Sequence, residues 1–386
     1  MNKIYPHDII SSGFLFFILG NSVFYLEEWP AVHLIFSFLR LIAVIYILMR
    51  MLKQRVVGKF TYLVLFFYTI LGGITIIKHA AVNVWLSYML NSFAICALLY
   101  IEIIESKEHA IKIFADTFAA LIYLNFLTLV INPDGIIGGA YLIGRNYNQM
   151  GMTIVCGMVT NIIAYNMKVK HIIPTIILSV VGVISPLIVG SMTSTIGTLL
   201  IFAFFFVPNN KIKKIILISL FVFYLLFQSF AIFLQNDISN INLIVNLVEN
   251  VMGKNLTFSD RTRVWLESYY YITQSPYIGY GIRDSDWFAE LFDVRSAHNI
   301  ILQILIYGGF TLLTAFIIII FCAIIRSYRK ATKIDYTSLF GLCTAFMMMM
   351  MENYSLILIM YLIAIVYYSK ELSQPNKSEQ LLLKQT

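Results

Sequence analysis

Residues 298–325 read HNIILQILIYGGFTLLTAFIIIIFCAII, and no Lys, Arg, Asp or Glu interrupts them. A helix that crosses a bilayer needs about 20 predominantly apolar residues, so this run spans the hydrocarbon with room to spare. Working outward, similar runs occur at 9–26, 33–49, 60–77, 82–101, 113–131, 150–166, 172–190, 194–207, 215–235, 336–351 and 355–369. The expected fold is an all-α polytopic membrane protein with about twelve spans. Over the whole 386-residue chain, 60% of residues are hydrophobic and 12% charged, with mean hydropathy +0.82. A globular domain carries about 25% charged residues, so a soluble enzyme, a secreted disulfide scaffold and a disordered chain are all excluded. Cys96, Cys156, Cys322 and Cys343 lie inside apolar runs without metal-ligand or disulfide spacing. The first run has one lysine before it and no small-residue cleavage pattern after it, and reads as a retained helix.

The net charge of +7 is a topology record here, not a nucleic-acid signal, because Lys and Arg accumulate in cytoplasmic loops. One set of alternate loops, with Lys3 and the tail, holds nineteen basic residues; the short loops of the other set hold Lys78 and Arg145. Both termini are therefore expected in the cytoplasm. The expected organisation is spans one to nine over 1–235, an extracytoplasmic catalytic loop over 236–297, spans ten to twelve over 298–369 and a cytoplasmic tail over 370–386.

The 236–297 segment has five basic and eight acidic residues, and a loop this long is unusual unless functional. Ser259-Asp260 is a plausible helix start, placing Arg261, Trp265 and Tyr269 at i, i+4 and i+8 on one face. Ser275-Pro276-Tyr277-Ile278-Gly279-Tyr280-Gly281 is a turn. A second short helix is expected over 285–292, and Ser296 is a candidate cap for the span that follows.

His298 would then sit in the first turn of that span. The positive end of the helix dipole and nearby Arg295 both disfavour imidazolium, leaving a ring able to accept a proton. An interfacial cap or anchor is the other reading of this histidine. Five of the seven extracytoplasmic basic residues are arginines: Arg145, Arg261, Arg263, Arg283 and Arg295. Their planar fork suits phosphate or carboxylate. Surface ion pairs explain Arg263 and Arg283 as well, and Arg145 and Arg261 less readily. Trp265 and Tyr280 would suit the apolar faces of sugars, although an interfacial aromatic belt also accounts for such residues. Arg40, in mid-span, is either functional or a bundle-facing residue bonded to carbonyls or a lipid phosphate. Asp284-Ser285-Asp286 spells a metal-binding triplet of nucleotide-sugar enzymes, whose substrates lie on the other side of the membrane. Asn255-Leu256-Thr257 is a sequon of no expected consequence.

Arg261 four residues before Trp265, then Ser275-Pro276 leading into Gly279-Tyr280-Gly281, then His298-Asn299 before Gly308-Gly309, resembles the signature of the O-antigen ligase/polymerase superfamily. That group holds Wzy-type polysaccharide polymerases and O-antigen ligases. The resemblance implies a GT-C-like membrane fold, with one large outer loop between spans nine and ten. It implies an enzyme that moves glycan from undecaprenyl pyrophosphate to an acceptor hydroxyl without metal, nucleotide sugar or other cofactor. By the same resemblance, His298 is the base, Arg261 holds the pyrophosphate, and Arg145 is a second such arginine, aligned less closely through Asn148. Trp265, Asn299, Asn148, Arg295, Arg283 and Tyr280 are the expected substrate-binding residues.

The expected function is polymerisation of lipid-linked repeat units into capsular, exopolysaccharide or O-antigen chains at the outer face of a bacterial cytoplasmic membrane. Transfer of finished polymer by a ligase, and a glycan or lipid transporter, are the alternatives. A chain-length regulator and a flippase are partners implied by the resemblance, and no nucleic acid is expected.

Overall fold

The computed structural model describes residues 6–25, 29–136, 140–144, 146–233, 261–328 and 331–374. Among these the protein is helical, with one isolated bridge between Phe24 and Ile143. The helices are α1 (Pro6–Val23), α2 (Pro30–Gln54), α3 (Lys59–Ile77), α4 (Val82–Ile131), α5 (Met150–Asn166), α6 (Ile172–Ile188) and α7 (Met192–Phe205). They continue with α8 (Asn210–Phe227), which runs into a π-helical segment (Gln228–Phe233), then α9 (Arg261–Gln274), α10 (Ser285–Phe292), α11 (Ile300–Tyr328), α12 (Lys333–Met348) and α13 (Leu356–Ser373). Among the described residues, six helices are long and apolar enough to cross a membrane: α2, α3, α4, α8 with the start of its π-helical extension, α11 and α13. Four more, in α1, α5, α6 and α7, are apolar but shorter.

The runs 82–101 and 113–131, expected as two spans joined by a loop, form the single helix α4. A corner of one non-helical residue divides it, Ser106 at φ −161°, ψ 113°. Ser106 Oγ accepts from His109 N at 3.3 Å, which caps the second half. No loop is needed because the serine supplies the acceptor locally.

A helix apolar on every side belongs in the interior. In α13, positions 356 to 369 are all buried, and it packs on α3, α4, α5, α11 and α12. At the perimeter the reverse holds: Leu34 is 71% and Leu52 78% exposed on α2. Such a surface is stable against lipid and unfavourable against water.

The turn motif ahead of α10 explains its own glycines. α11 is broken at Gly309, which adopts φ 59°, ψ −159°. The break frees backbone groups, and the 276–281 segment fills them. Tyr280 N donates to Ile306 O at 2.8 Å, and Gly281 N to Tyr307 O at 2.9 Å. In return, Phe310 N donates to Pro276 O at 2.8 Å, and Thr311 N to Tyr277 O at 3.2 Å. A Cβ on Gly279 would collide with the carbonyl of Ile306, and one on Gly309 with that of Pro276. Gly279 (φ 56°) also needs the left-handed region.

The short helix expected over 285–292 is α10. Asp284 caps it by accepting from Trp287 N at 3.0 Å, and Asp293 ends it at φ 56°.

Candidate active site

At one end of the bundle the turn between α12 and α13 holds Glu352, four residues before the central helix begins. Its side chain is 4% exposed. Three distant side chains donate to it: His298 Nδ1 at 3.1 Å, Asn148 Nδ2 at 3.0 Å and Arg261 Nη2 at 3.3 Å. The backbone N–H of Asn353 adds a fourth at 3.2 Å. A carboxylate offers about four acceptor positions, and these contacts occupy them. Burial pushes the Glu352 carboxyl up. The His298 hydrogen bond, the charges of His298 and Arg261 and the Asn353 amide outweigh burial and hold it below its usual value. Glu352 is therefore an anion that positions its neighbours.

The Glu352 contact sets the chemistry of His298. A carboxylate can only accept, so Nδ1 carries the proton, and in the neutral ring Nε2 presents its lone pair. Among the described residues Nε2 has no hydrogen-bond partner, while the side chain is 20% exposed. The free nitrogen is thus the one that can take a proton.

The backbone around His298 differs from expectation. α11 begins at Ile300, and His298 lies outside it at φ 49°. The cap is Asn299, not Ser296. Asn299 Oδ1 accepts from Ile301 N at 3.0 Å and from Leu302 N at 3.1 Å. Its amide donates to Gln228 Oε1 at 3.0 Å and to Met350 O at 3.3 Å. Asn299 is fully buried. It was expected to bind substrate, and its polar atoms are spent instead on fixing the helix start to the π-helical segment and the 349–355 turn. His298 owes its position to this neighbour and to Glu352, rather than to the first helical turn.

Asn148 is anchored as firmly. Its Oδ1 accepts from Ser191 Oγ at 2.8 Å and its carbonyl from Ser194 Oγ at 3.0 Å, both at the α6–α7 turn. On the other side of this loop, Gly144 N donates to Val23 O at 2.9 Å. Arg145 lies between these anchors, outside the described residues.

α9 presents Arg261, Val264, Trp265, Ser268 and Ile272 inward at helical spacing. Trp265 is 1% exposed and packed in the core, so it anchors α9 rather than lining an open surface. Tyr269, expected on the same face, is 50% exposed. Eight residues at about 100° each overshoot two turns by about 80°, which carries that ring off the inward face.

Residues 177–317 match the O-antigen ligase family.

The match supports the O-antigen ligase/polymerase superfamily that the motif residues resemble, and it includes Arg261, Gly279, Gly281, His298 and Gly309. No curated protein matches the chain. Asn148 and Glu352 lie outside the stretch matched to the O-antigen ligase family, yet they complete the cluster. Sequence reasoning named Asn148 and missed Glu352. The available signal was a lone carboxylate directly after the apolar run 336–351, in a stretch otherwise without charge.

The remaining expected residues fall into two groups. Arg295 is exposed three positions before His298 and has no hydrogen bond or ion pair among the described residues. Arg283 and Tyr280 lie elsewhere. Arg283 stacks over Trp287, with its guanidinium carbon 5.6 Å from a ring centroid, and donates to Lys78 O at 3.3 Å. It lines a cleft of about 430 Å³ with His79, Asn83, Asp286 and Glu290. Tyr280 donates through its hydroxyl to Tyr271 O at 2.9 Å and packs on Trp287. Arg263 pairs with Glu267 at 2.8 Å. Among the described residues no group of three or more His, Cys, Asp or Glu side chains is placed to hold a metal ion.

Proposed function

We propose that the protein is a polymerase of undecaprenyl-pyrophosphate-linked oligosaccharides, acting at the outer face of a bacterial cytoplasmic membrane by inverting glycosyl transfer. The observation that carries this reading is one carboxylate, Glu352, which brings Arg261, His298 and Asn148 to one point, while His298 Nε2 has no hydrogen-bond partner among the described residues. In the proposed reaction Nε2 removes the proton from an acceptor sugar hydroxyl. The resulting oxygen attacks the anomeric carbon of the donor, and the bond to the pyrophosphate oxygen breaks with its electron pair leaving on phosphate. Arg261, with Arg145 from the 140–150 loop and exposed Arg295, opposes the charge that builds there. Preorganised cations in a partly dry site do this better than water. The twelve-span, GT-C-like arrangement with both termini in the cytoplasm completes the proposal.

Ligation of finished polymer to a different acceptor would use the same groups. Heavy use of Ile, Asn, Lys, Phe and Tyr suits an AT-rich genome such as that of a low-GC Gram-positive bacterium; such a cell has no lipid A, and this favours polymerisation. The deciding experiment supplies purified protein in liposomes with lipid-linked repeat units from the host strain. A ladder of lengthened glycans that disappears in His298→Ala and Arg261→Ala supports polymerase. Transfer only after a second acceptor is added means ligase, and no transfer in either condition returns the transporter to first place.

A further inference from the structure

Two arginines lie within α2, ten residues apart, and the protein treats them differently. Arg50 is neutralised: its Nη1 meets Glu102 at 2.5 Å and its Nη2 meets Glu105 at 2.7 Å. Arg40 has no carboxylate within ion-pair distance among the described residues. Its Nη1 donates to Asn21 Oδ1 at 2.8 Å and to Ser87 Oγ at 2.9 Å. Asn21 is itself oriented by a hydrogen bond from its Nδ2 to Ser37 Oγ at 3.2 Å. Nη2 and Nε of Arg40 have no acceptor among the described residues. Neutral dipoles thus aim the guanidinium without cancelling its charge.

Its depth follows from its partners. Asn21 is two residues from the end of α1 at Val23, and Ser87 is five residues into α4 from Val82. With about 1.5 Å of rise per residue, the guanidinium sits one to two turns below the end of the bundle that bears Glu352. Helical side chains lean toward their own N-terminus, so Arg40 reaches toward that end from its deeper Cα. Arg40, Asn21, Ser37 and Ser87 are all partly exposed, so this polar cluster between α1, α2 and α4 reaches the perimeter. There Leu34, Phe38 and Leu41 are exposed and apolar. An unpaired cation at this depth is costly. A phosphate at the headgroup level of a lipid would relieve that cost, taking the free edge of the guanidinium while its chain lies along the apolar face of α2.

We infer that Arg40, held by Asn21 and Ser87, forms a binding site for the phosphate group of a membrane lipid, separate from the Glu352 cluster. The inference rests on this geometry and not on the proposed transfer reaction. Two lipid classes share the required chemistry, polyprenyl phosphates and anionic phospholipids.

Native mass spectrometry of the full chain in maltoside micelles, which contain no phosphate, separates them. Undecaprenyl phosphate, phosphatidylglycerol and uncharged diacylglycerol are titrated into an Arg261→Ala background, so that lipid held at the candidate active site is not counted. A phosphate-bearing lipid is expected to bind about tenfold more weakly to Arg40→Gln, with diacylglycerol unaffected by the change. Preference for undecaprenyl phosphate identifies a polyprenyl site, and equal or better binding of phosphatidylglycerol identifies an ordinary phospholipid site. The paired variant Asn21→Ala with Ser87→Ala keeps the cation and removes its orientation; it should weaken binding several-fold, and it serves if Arg40→Gln does not fold. Equal retention of phosphate lipids by folded Arg40→Gln and its parent overturns the inference.

Discussion

The Glu352 carboxylate and the His298 imidazole meet at 3.1 Å across 54 residues of chain, with α11 and α12 between them. One end of the contact is fixed by the turn that leads into the buried helix α13, the other by the Asn299 cap. A histidine at positive φ, outside regular structure, is thereby held in one tautomer.

In the transfer assay, His298→Ala should lower single-turnover rate by about 10²–10⁴-fold, the usual worth of a positioned base. Glu352→Gln keeps the shape but can present its amide N–H to Nδ1, which favours the opposite tautomer. It should cost about 10²-fold or more in rate while binding of the lipid-linked donor changes little. Full turnover in Glu352→Gln would remove the carboxylate from the proposed mechanism.

Arg261→Lys retains the charge but loses the planar fork, so a bond to Glu352 and a bond to phosphate can no longer be made from one rigid group. Rate should fall at least about tenfold, and in Arg261→Ala about 10²–10³-fold. Comparable rates for the Lys and Ala variants would mean that orientation matters and charge does not.

Acid should loosen the site in a defined direction. Glu352 titrates below its ordinary value of 4.5 in the folded protein, so its ionised form contributes stability above that value. The contribution is lost as pH falls through the lower, folded-state pKa. Thermal midpoints in detergent from pH 6 to 3 should show wild type losing its advantage over Glu352→Gln below 4.5. A gap that stays constant across that range contradicts the assignment.

Gly309→Ala should destabilise the protein by about 2 kcal/mol or more, since the substitution strains the backbone and drives a methyl group into the Pro276 carbonyl. Gly73→Ala, with open space around its Cβ in α3, is the control and should be neutral or stabilising by about 0.5–1 kcal/mol. Denaturation monitored by tryptophan fluorescence compares the two.

Much of this was readable from the chain itself because its signals are local. Apolar run length locates helices whose partners are lipid and one another, and the boundaries of α5 and α10 follow from polar residues at their ends. Arg261 and His298 were singled out by residue type and position. What escaped was set by long-range contact. Glu352 acquires its role only when the 140–150 loop, α9 and the start of α11 converge on it, and no spacing in the sequence encodes that. Asn299 was assigned to substrate through the family resemblance, and its bond to Gln228, 71 residues away, could not be read from spacing. The corner at Ser106 was taken for a loop because the polar residues around it are those a loop would have.

The interlock between the 276–281 segment and the break in α11 has a consequence for engineering. Each supplies the hydrogen bonds the other lacks, so neither is a transplantable part. A chimaera made by importing the 276–281 segment of a related protein would have to import residues 306–311 with it. The unit of exchange is the loop together with its socket.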